Sequence, residues 1–206
     1  MCSSDLGMVL TNDPERNALL RSLRDHGSSK SDLARHEGTA AFLLSEFNVM
    51  GFNYRMTDFQ GALGCTQMAK VEWFQARRAE LARRYDALLA DIEWLQTPRV
   101  PDGDTHGYQS YVCVFRPEAP TMANVDALFE RRNAMMMRME AQGVSTRQGT
   151  HAVHGLGLYA ERFGLRPEDY PRAWIAERVS LALPLFPTMT DAEQDHVVAL
   201  LKASYA

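Results

Sequence analysis

The run Gly51-Phe52-Asn53-Tyr54-Arg55-Met56-Thr57-Asp58-Phe59-Gln60, continuing through Ala62, Leu63, Gly64 and Gln67, constrains this chain more than any other stretch. A loop opened by glycine presents an amide, a phenol and a guanidinium in three successive positions. It then enters a helix that Thr57 or Asp58 can cap. Gly61, Ala62, Gly64 and Ala69 leave that helix a smooth face suited to close packing. After Lys70 the pattern changes to a long amphipathic helix. Val71, Phe74, Leu81, Tyr85, Leu88 and Ile92 recur at three- and four-residue steps, opposite Arg77, Arg78, Glu80, Arg83 and Arg84. A helix of this length after such a loop is expected to bridge two domains.

Upstream, Met8-Val9-Leu10-Thr11 reads as a short strand ended by Asn12-Asp13-Pro14. Asp13 suits an N-cap, Pro14 the first helical position and Glu15 the positive end of the helix dipole. Leu19, Leu20 and Leu23 give that helix one apolar face, and Gly27 after His26 is expected to stop it. Residues 28–39 are polar and aperiodic, a surface loop. Downstream of the turn-rich break from Thr97 to Asp104, a strand is predicted over Tyr108–Phe115, halted by Arg116-Pro117. A helix over Asn124–Gln142 follows, with Val125, Leu128, Phe129, Met136 and Met139 inward and Gly143 as its stop. Val144–Arg147 is a second short strand, Ala173–Ser180 a helix and Leu181–Pro184 an edge strand. Thr190-Asp191-Ala192-Glu193 spells a capping box before a last helix that buries Val197, Val198, Leu200 and Leu201. Strand, helix, strand, helix over about a hundred residues makes a small α+β domain.

At 206 residues the chain can hold one domain or a domain and a half, at roughly 100–200 residues each. Its formal charge of -4 argues against a nucleic-acid footprint, which needs clustered Lys and Arg. Cys2, Cys65 and Cys113 are scattered and odd in number, so neither a disulfide framework nor a zinc ribbon is expected. No apolar run approaches the ~20 residues that span a bilayer, and no signal pattern opens the chain. A reducing cytoplasm is the compartment these features suggest.

The combined pattern from Gly51 to Gln67 resembles the DegT/DnrJ/EryC1/StrS family of sugar aminotransferases, which use pyridoxal 5′-phosphate. Weaker similarity runs from Gly7 to Ala206. Arg24-Asp25-His26-Gly27 is similar to a helix end of that family, and His106-Gly107-Tyr108-Gln109-Ser110-Tyr111 to the start of its small-domain strand. Gly143-Val144-Ser145-Thr146-Arg147 through His154 is similar to its Gly-Ile-x-Thr-Arg segment with a histidine after it. Leu181–Pro187 and Thr190–Glu193 match its closing strand and helix. The resemblance implies an incomplete α/β fold of the PLP-dependent transferase fold type I. Residues 7–70 would be the end of the large domain, 71–96 a bridging helix and 97–206 a small C-terminal α+β domain.

In that family an order such as Lys-x-x-Thr-Thr-Gly-Glu-Gly-Gly precedes a segment like Met8–Asp13, which places the cofactor-binding lysine before Met1. Of the three lysines here, none precedes Lys30. The opening Met1-Cys2-Ser3-Ser4-Asp5-Leu6 resembles the translation of a sequencing-adaptor end, so residues 1–6 are expected to be a non-native leader. The chain is then a C-terminal fragment with no catalytic lysine, not expected to transaminate alone. By resemblance, Asn53 and Arg55 would contact the cofactor phosphate of the other subunit in a homodimer with shared active sites. Tyr54, His151 and His154 would contact substrate. The whole enzyme would move an amino group from glutamate or glutamine to a nucleotide-linked keto sugar. A sugar dehydratase of the same family, and a native non-catalytic α/β binding or dimerisation module, are the alternatives.

Read from the residues alone, Asn53 can equally cap a turn while Arg55 pairs with Asp58. His151 and His154, with His106, offer three imidazoles, but no carboxylate or thiol stands at ligand spacing, so no metal is expected. Plain hydrogen-bonded loop histidines are the other reading. Lys30 sits in a Ser-rich loop that offers neither burial nor a cationic neighbour to lower its pKa. Lys70, beside Glu72, is a solvated helix residue, and Met135, Met136, Met137 and Met139 read as gap-filling core.

Overall fold

The structure, a computed structural model, describes residues 8–29 and 46–205; the leader, Lys30 and most of the expected 28–39 loop lie outside them. The chain divides after Met68 into two units.

The N-terminal unit contains α1 (Pro14–Leu23) and α2 (Asp58–Met68). The Asp13 carboxylate accepts from the N–H groups of Glu15 and Arg16, and Pro14 fills the first turn, where its missing N–H costs nothing. The helix ends earlier than Gly27 because its last carbonyls have other partners. Leu23 O accepts from Phe52 N–H and Arg24 O from Tyr54 N–H, both at 2.8 Å. Residues 8–11 form no strand. They find no ladder partner among the described residues, and Met8, Val9 and Leu10 are exposed. Thr57 and Gln60 cap α2 reciprocally, each side chain accepting the other's backbone N–H. The smooth face of α2 meets nothing: Cβ atoms added at Gly61 or Gly64 would find no neighbour within 4 Å among the described residues.

The C-terminal unit runs α3 (Val71–Leu88), β1 (Leu95–Gln96), β2 (Tyr111–Phe115), α4 (Val125–Ala141), α5 (Gly157–Phe163), α6 (Pro171–Val179), β3 (Ser180–Leu183) and α7 (Asp191–Ser204). The strands form an antiparallel sheet in the order β1-β2-β3, with Leu95 opposite Phe115 and Cys113 opposite Leu181. Alternation on β2 buries Tyr111, Cys113 and Phe115 fully and Val112 and Val114 in part. β2 starts at Tyr111, not Tyr108, because Tyr108 has φ 41°, in the left-handed region that no extended strand uses. Val144–Arg147 is not a strand either; Arg147 alone makes a bridge, to Ala182.

Helix α4 packs on both α6 and α7, and α3 packs on α7. Leu81, Ala82 and Tyr85 of α3 join Leu128, Met135 and Met139 of α4 and Leu201 of α7 in the core. Met135 is fully buried where Met136 was the expected inward residue, which is half-buried. The Thr190–Glu193 capping box forms as its sequence predicts. Two long-range side-chain bonds tie the core: Gln194 Nε2 donates to Leu81 O at 2.7 Å, and Tyr85 OH to Pro184 O at 2.9 Å. No helix among the described residues is long and apolar enough to cross a membrane.

Candidate functional site

Loop 51–55 is built by pairing backbone with backbone. His26 N–H donates to Phe52 O at 3.0 Å, and Asp25 and Asn53 form an antiparallel bridge. The pairing requires glycine on both sides. A Cβ at Gly51 would lie 2.2 Å from Gly27 N, and one at Gly27, where φ is 81°, would lie 1.8 Å from Val49 O. Gly51 of the loop and Gly27 of the Arg24-Asp25-His26-Gly27 segment are therefore two halves of one crossing.

This crossing holds Asn53, Tyr54 and Arg55 on an exposed edge. The Asn53 side-chain amide makes no hydrogen bond among the described residues and stays available on both its donor and acceptor sides. Arg55 Nη1 pairs with the Asp25 carboxylate, not with Asp58, which leaves the rest of its guanidinium fork free. Tyr54 is 72% exposed, its ring stacked on Phe52 at 5.1 Å. An uncharged amide donor beside a partly engaged guanidinium suits a phosphate, so these two side chains fit the group that the family resemblance assigns to them.

The two histidines of the C-terminal unit sit in different surroundings. His151 is exposed, its Nδ1 3.5 Å from Gln148 Nε2. His154 is only 6% exposed, on a 3-10 turn over Val153–Gly155, with its ring 5.1 Å from Tyr170 and 6.1 Å from Trp174. Its Nε2 has no hydrogen-bond partner among the described residues. The Glu177 carboxylate takes the Ala152 N–H and so ties this loop to α6. No group of three His, Cys, Asp or Glu side chains comes together among the described residues. Lys70, just before α3, is exposed.

Two arginines acquire meaning only from the structure. Arg132, 1% exposed, donates from Nη1 to Glu177 O and Ser180 O, both at 2.8 Å, and lies over the Phe129 ring. Burial pulls its pKa down to about 10, so it remains a cation at neutral pH. Its position on α4 gives an inward side chain, but nothing in the local pattern announces a buried charge. Arg147 lines a cavity of about 290 Å³ with Gln109, Ser110, Ser145, Gln148 and Gly149, above Ala182–Leu185.

Residues 1–202 match the DegT/DnrJ/EryC1/StrS aminotransferase family, and the chain belongs to it. Members of that family depend on pyridoxal 5′-phosphate. The chain is 30% identical over 197 residues to protein MJ1066 of Methanocaldococcus jannaschii, covering 95% of this chain and 48% of that one. It is 28% identical over 202 residues to the spore coat polysaccharide biosynthesis protein SpsC of Bacillus subtilis, covering 98% and 50%. The PMP-form of Spr1654 from Streptococcus pneumoniae superposes with a TM-score of 0.77 at 19% identity, over 95% of this chain and 46% of that one. The fold is thus the α/β aminotransferase fold in part, and the chain spans about half the length of the relatives it matches.

Proposed function

We propose that this chain supplies the C-terminal half of a PLP-dependent aminotransferase that transfers an amino group from glutamate or glutamine to a nucleotide-linked keto sugar. The observation that carries the reading is the loop at Gly51–Arg55: within a chain of this family, it presents a free amide and a half-free guanidinium from a rigid double-glycine crossing. Bound PLP supplies the electron-withdrawing ring through which such enzymes exchange amino groups.

The residues of this chain bind and orient. Asn53 would hold the cofactor phosphate of the neighbouring subunit in a homodimer through its amide N–H, adding no charge. Arg55 adds a cation whose direction Asp25 sets. By the family resemblance, Tyr54 in the N-terminal unit and His151 and His154 in the C-terminal unit are each candidates for contact with the substrate. None of Lys30, Lys70 and Lys202 stands in the family's Lys-x-x-Thr-Thr-Gly-Glu-Gly-Gly order, so this chain by itself is not expected to transaminate. The absence of any buried apolar side chain among the described residues of the N-terminal unit supports a half-domain over a self-sufficient module.

Two measurements test this. The purified 206-residue chain, given PLP, glutamate and a nucleotide-linked keto sugar, is expected to form no amino sugar; amino transfer would overturn the fragment reading. The source DNA read upstream of the Gly7 codon is expected to encode Lys-x-x-Thr-Thr-Gly-Glu-Gly in frame. Histidine at the lysine position would move the reaction to dehydration, and a genuine start codon before Cys2 would favour the binding module.

A further inference from the structure

We propose that the buried Arg132 is a positioning residue for His151, acting through Glu177 and Ser180 on the segment 149–155. The inference deepens the aminotransferase reading and rests on it for His151 as a substrate contact. The anchoring itself lies wholly within the C-terminal unit and is read without substrate.

His151 stands in a short span held at both ends. Upstream, Gly149 N–H donates to Ser180 Oγ at 3.2 Å. A Cβ at Gly149 would lie 2.4 Å from Val112 Cγ1 and 2.8 Å from Ser180 Cβ, so the missing side chain is what lets the backbone reach that hydroxyl. Downstream, Ala152, 1% exposed, gives its N–H to the Glu177 carboxylate. Between the two anchors stand Thr150 and His151, and Gln148 Nε2 donates to Thr150 O at 2.8 Å. The His151 side chain is exposed while its main chain is fixed on either side.

Both anchoring side chains belong to residues that Arg132 grips by the main chain. From one nitrogen, Nη1, it donates to Glu177 O and to Ser180 O, each at 2.8 Å. Its Nε and Nη2 donate to Asn133 Oδ1 at 3.2 and 2.8 Å, which fixes the plane of the guanidinium. Glu177 O lies in the last turn of α6 and Ser180 caps it, where carbonyls lack intrahelical partners and a cation suits the helix dipole. An apolar side chain could fill the same volume without the cost of burying a charge. A cation at this place therefore fits a task of position, since it sets how far apart the Glu177 and Ser180 anchors stand.

The turn beyond Ala152 is seated on the same helix. His154 lies against Tyr170 and Trp174, and a Cβ at Gly155 would come 2.6 Å from Trp174 Cζ3. The Arg178 guanidinium lies over Trp174 at 4.3 Å and over Phe129 at 4.4 Å. Helix α4 thus reaches the segment by two routes, through the carbonyls of 177 and 180 and through Phe129, Arg178 and Trp174. Fixing the backbone of a substrate-contacting side chain in advance lowers the ordering cost of binding and keeps its orientation.

The test is amide hydrogen exchange and ring-proton NMR on the full 206-residue chain, without substrate. Glu177→Ala should speed exchange at Ala152 by about tenfold, and Ser180→Ala at Gly149 by about threefold, relative to the amides of β2. Glu177→Gln, which keeps an acceptor, should restore most of the protection at Ala152. Arg132→Met should speed exchange at Gly149 and Ala152 together, beyond any change in β2, and move the His151 ring signals. Arg132→Lys should fall between Arg132→Met and the unaltered chain, and it carries the test if the methionine variant does not fold. Arg131→Ala, at the half-exposed neighbour on α4, should leave both amides unchanged. Arg132 variants that speed exchange evenly through the unit would show a structural role alone and overturn the proposal. So would unchanged protection at Gly149 and Ala152. No amino transfer enters these readouts, so their failure leaves the aminotransferase reading to its own tests.

Discussion

The two units follow the same helix-capping rules and reach opposite outcomes. In the N-terminal unit α1 and α2 are correctly started, by Asp13 and by Thr57 with Gln60, yet neither helix buries a single residue. Phe59 is 91% exposed and Leu10 88%. In the C-terminal unit the equally well-capped α7 buries six residues, Val197, Val198 and Leu201 among them. The difference is apolar burial. Helices this short gain most of their stability from tertiary packing of one face, so caps choose where a helix begins and packing decides how firmly it stands. Among the described residues of the N-terminal unit, backbone pairing joins 23–29 to 46–54, and the part at 23–26 with 52–54 positions Asn53 and Arg55.

The sharpest probe of the contrast is Arg132→Ala. It removes the side chain that serves both Glu177 O and Ser180 O at the α6–β3 junction and leaves a void beside Phe129. We expect a loss of about 3–5 kcal/mol in urea unfolding of the C-terminal unit. A loss below about 1 kcal/mol would show that the buried cation is dispensable.

Next in size is a matched pair. Leu201→Ala, at a fully buried site, should cost about 2–5 kcal/mol, whereas Leu63→Ala on the exposed α2 should change stability by less than about 0.5 kcal/mol. Equal costs would mean that the N-terminal unit has a core of its own, and the comparison would fail.

The smallest effect is chemical. Burial first, and the Asp86 charge second, push the Cys113 thiol up to about 12 from an ordinary 9.0. Tyr85 and Tyr111 are raised as well, chiefly by burial. For an acid whose folded-state value is raised, the stabilising contribution is complete below its unfolded value and is lost as pH climbs toward the folded one. The melting temperature of the C-terminal unit should therefore decline from about pH 9 upward. At about pH 8, exposed Cys65 should be alkylated while Cys113 reacts only after unfolding, which mass spectrometry of labelled peptides reads directly.

Local signals proved legible in proportion to how local their physics is. The α7 capping box, the Asp13-Pro14 helix start and the alternation on β2 each depend on residues a few positions apart, and all three are present. The short strands were not legible in the same way. Met8–Thr11 and Val144–Arg147 have similar apolar content, but a strand exists only where a neighbour completes its ladder. Arg147 finds one residue of such a partner, and Met8–Thr11 finds none among the described residues. Arg55 was assigned Asp58 as its alternative partner because the two are close in sequence; the glycine crossing brings Asp25 to it instead.

Sequence alone was sufficient for the family, the helix starts at Asp13-Pro14 and Thr190, and the loop that carries Asn53, Tyr54 and Arg55, since each is written in spacing and side-chain type. Tertiary structure decided what lies far apart in the chain. It set Gly27 against Gly51, put Arg132 beneath the α6–β3 junction, and buried His154 while leaving His151 exposed. The reason is physical: capping and periodicity are short-range, whereas burial and charge pairing depend on which distant segments the backbone brings within a few ångströms.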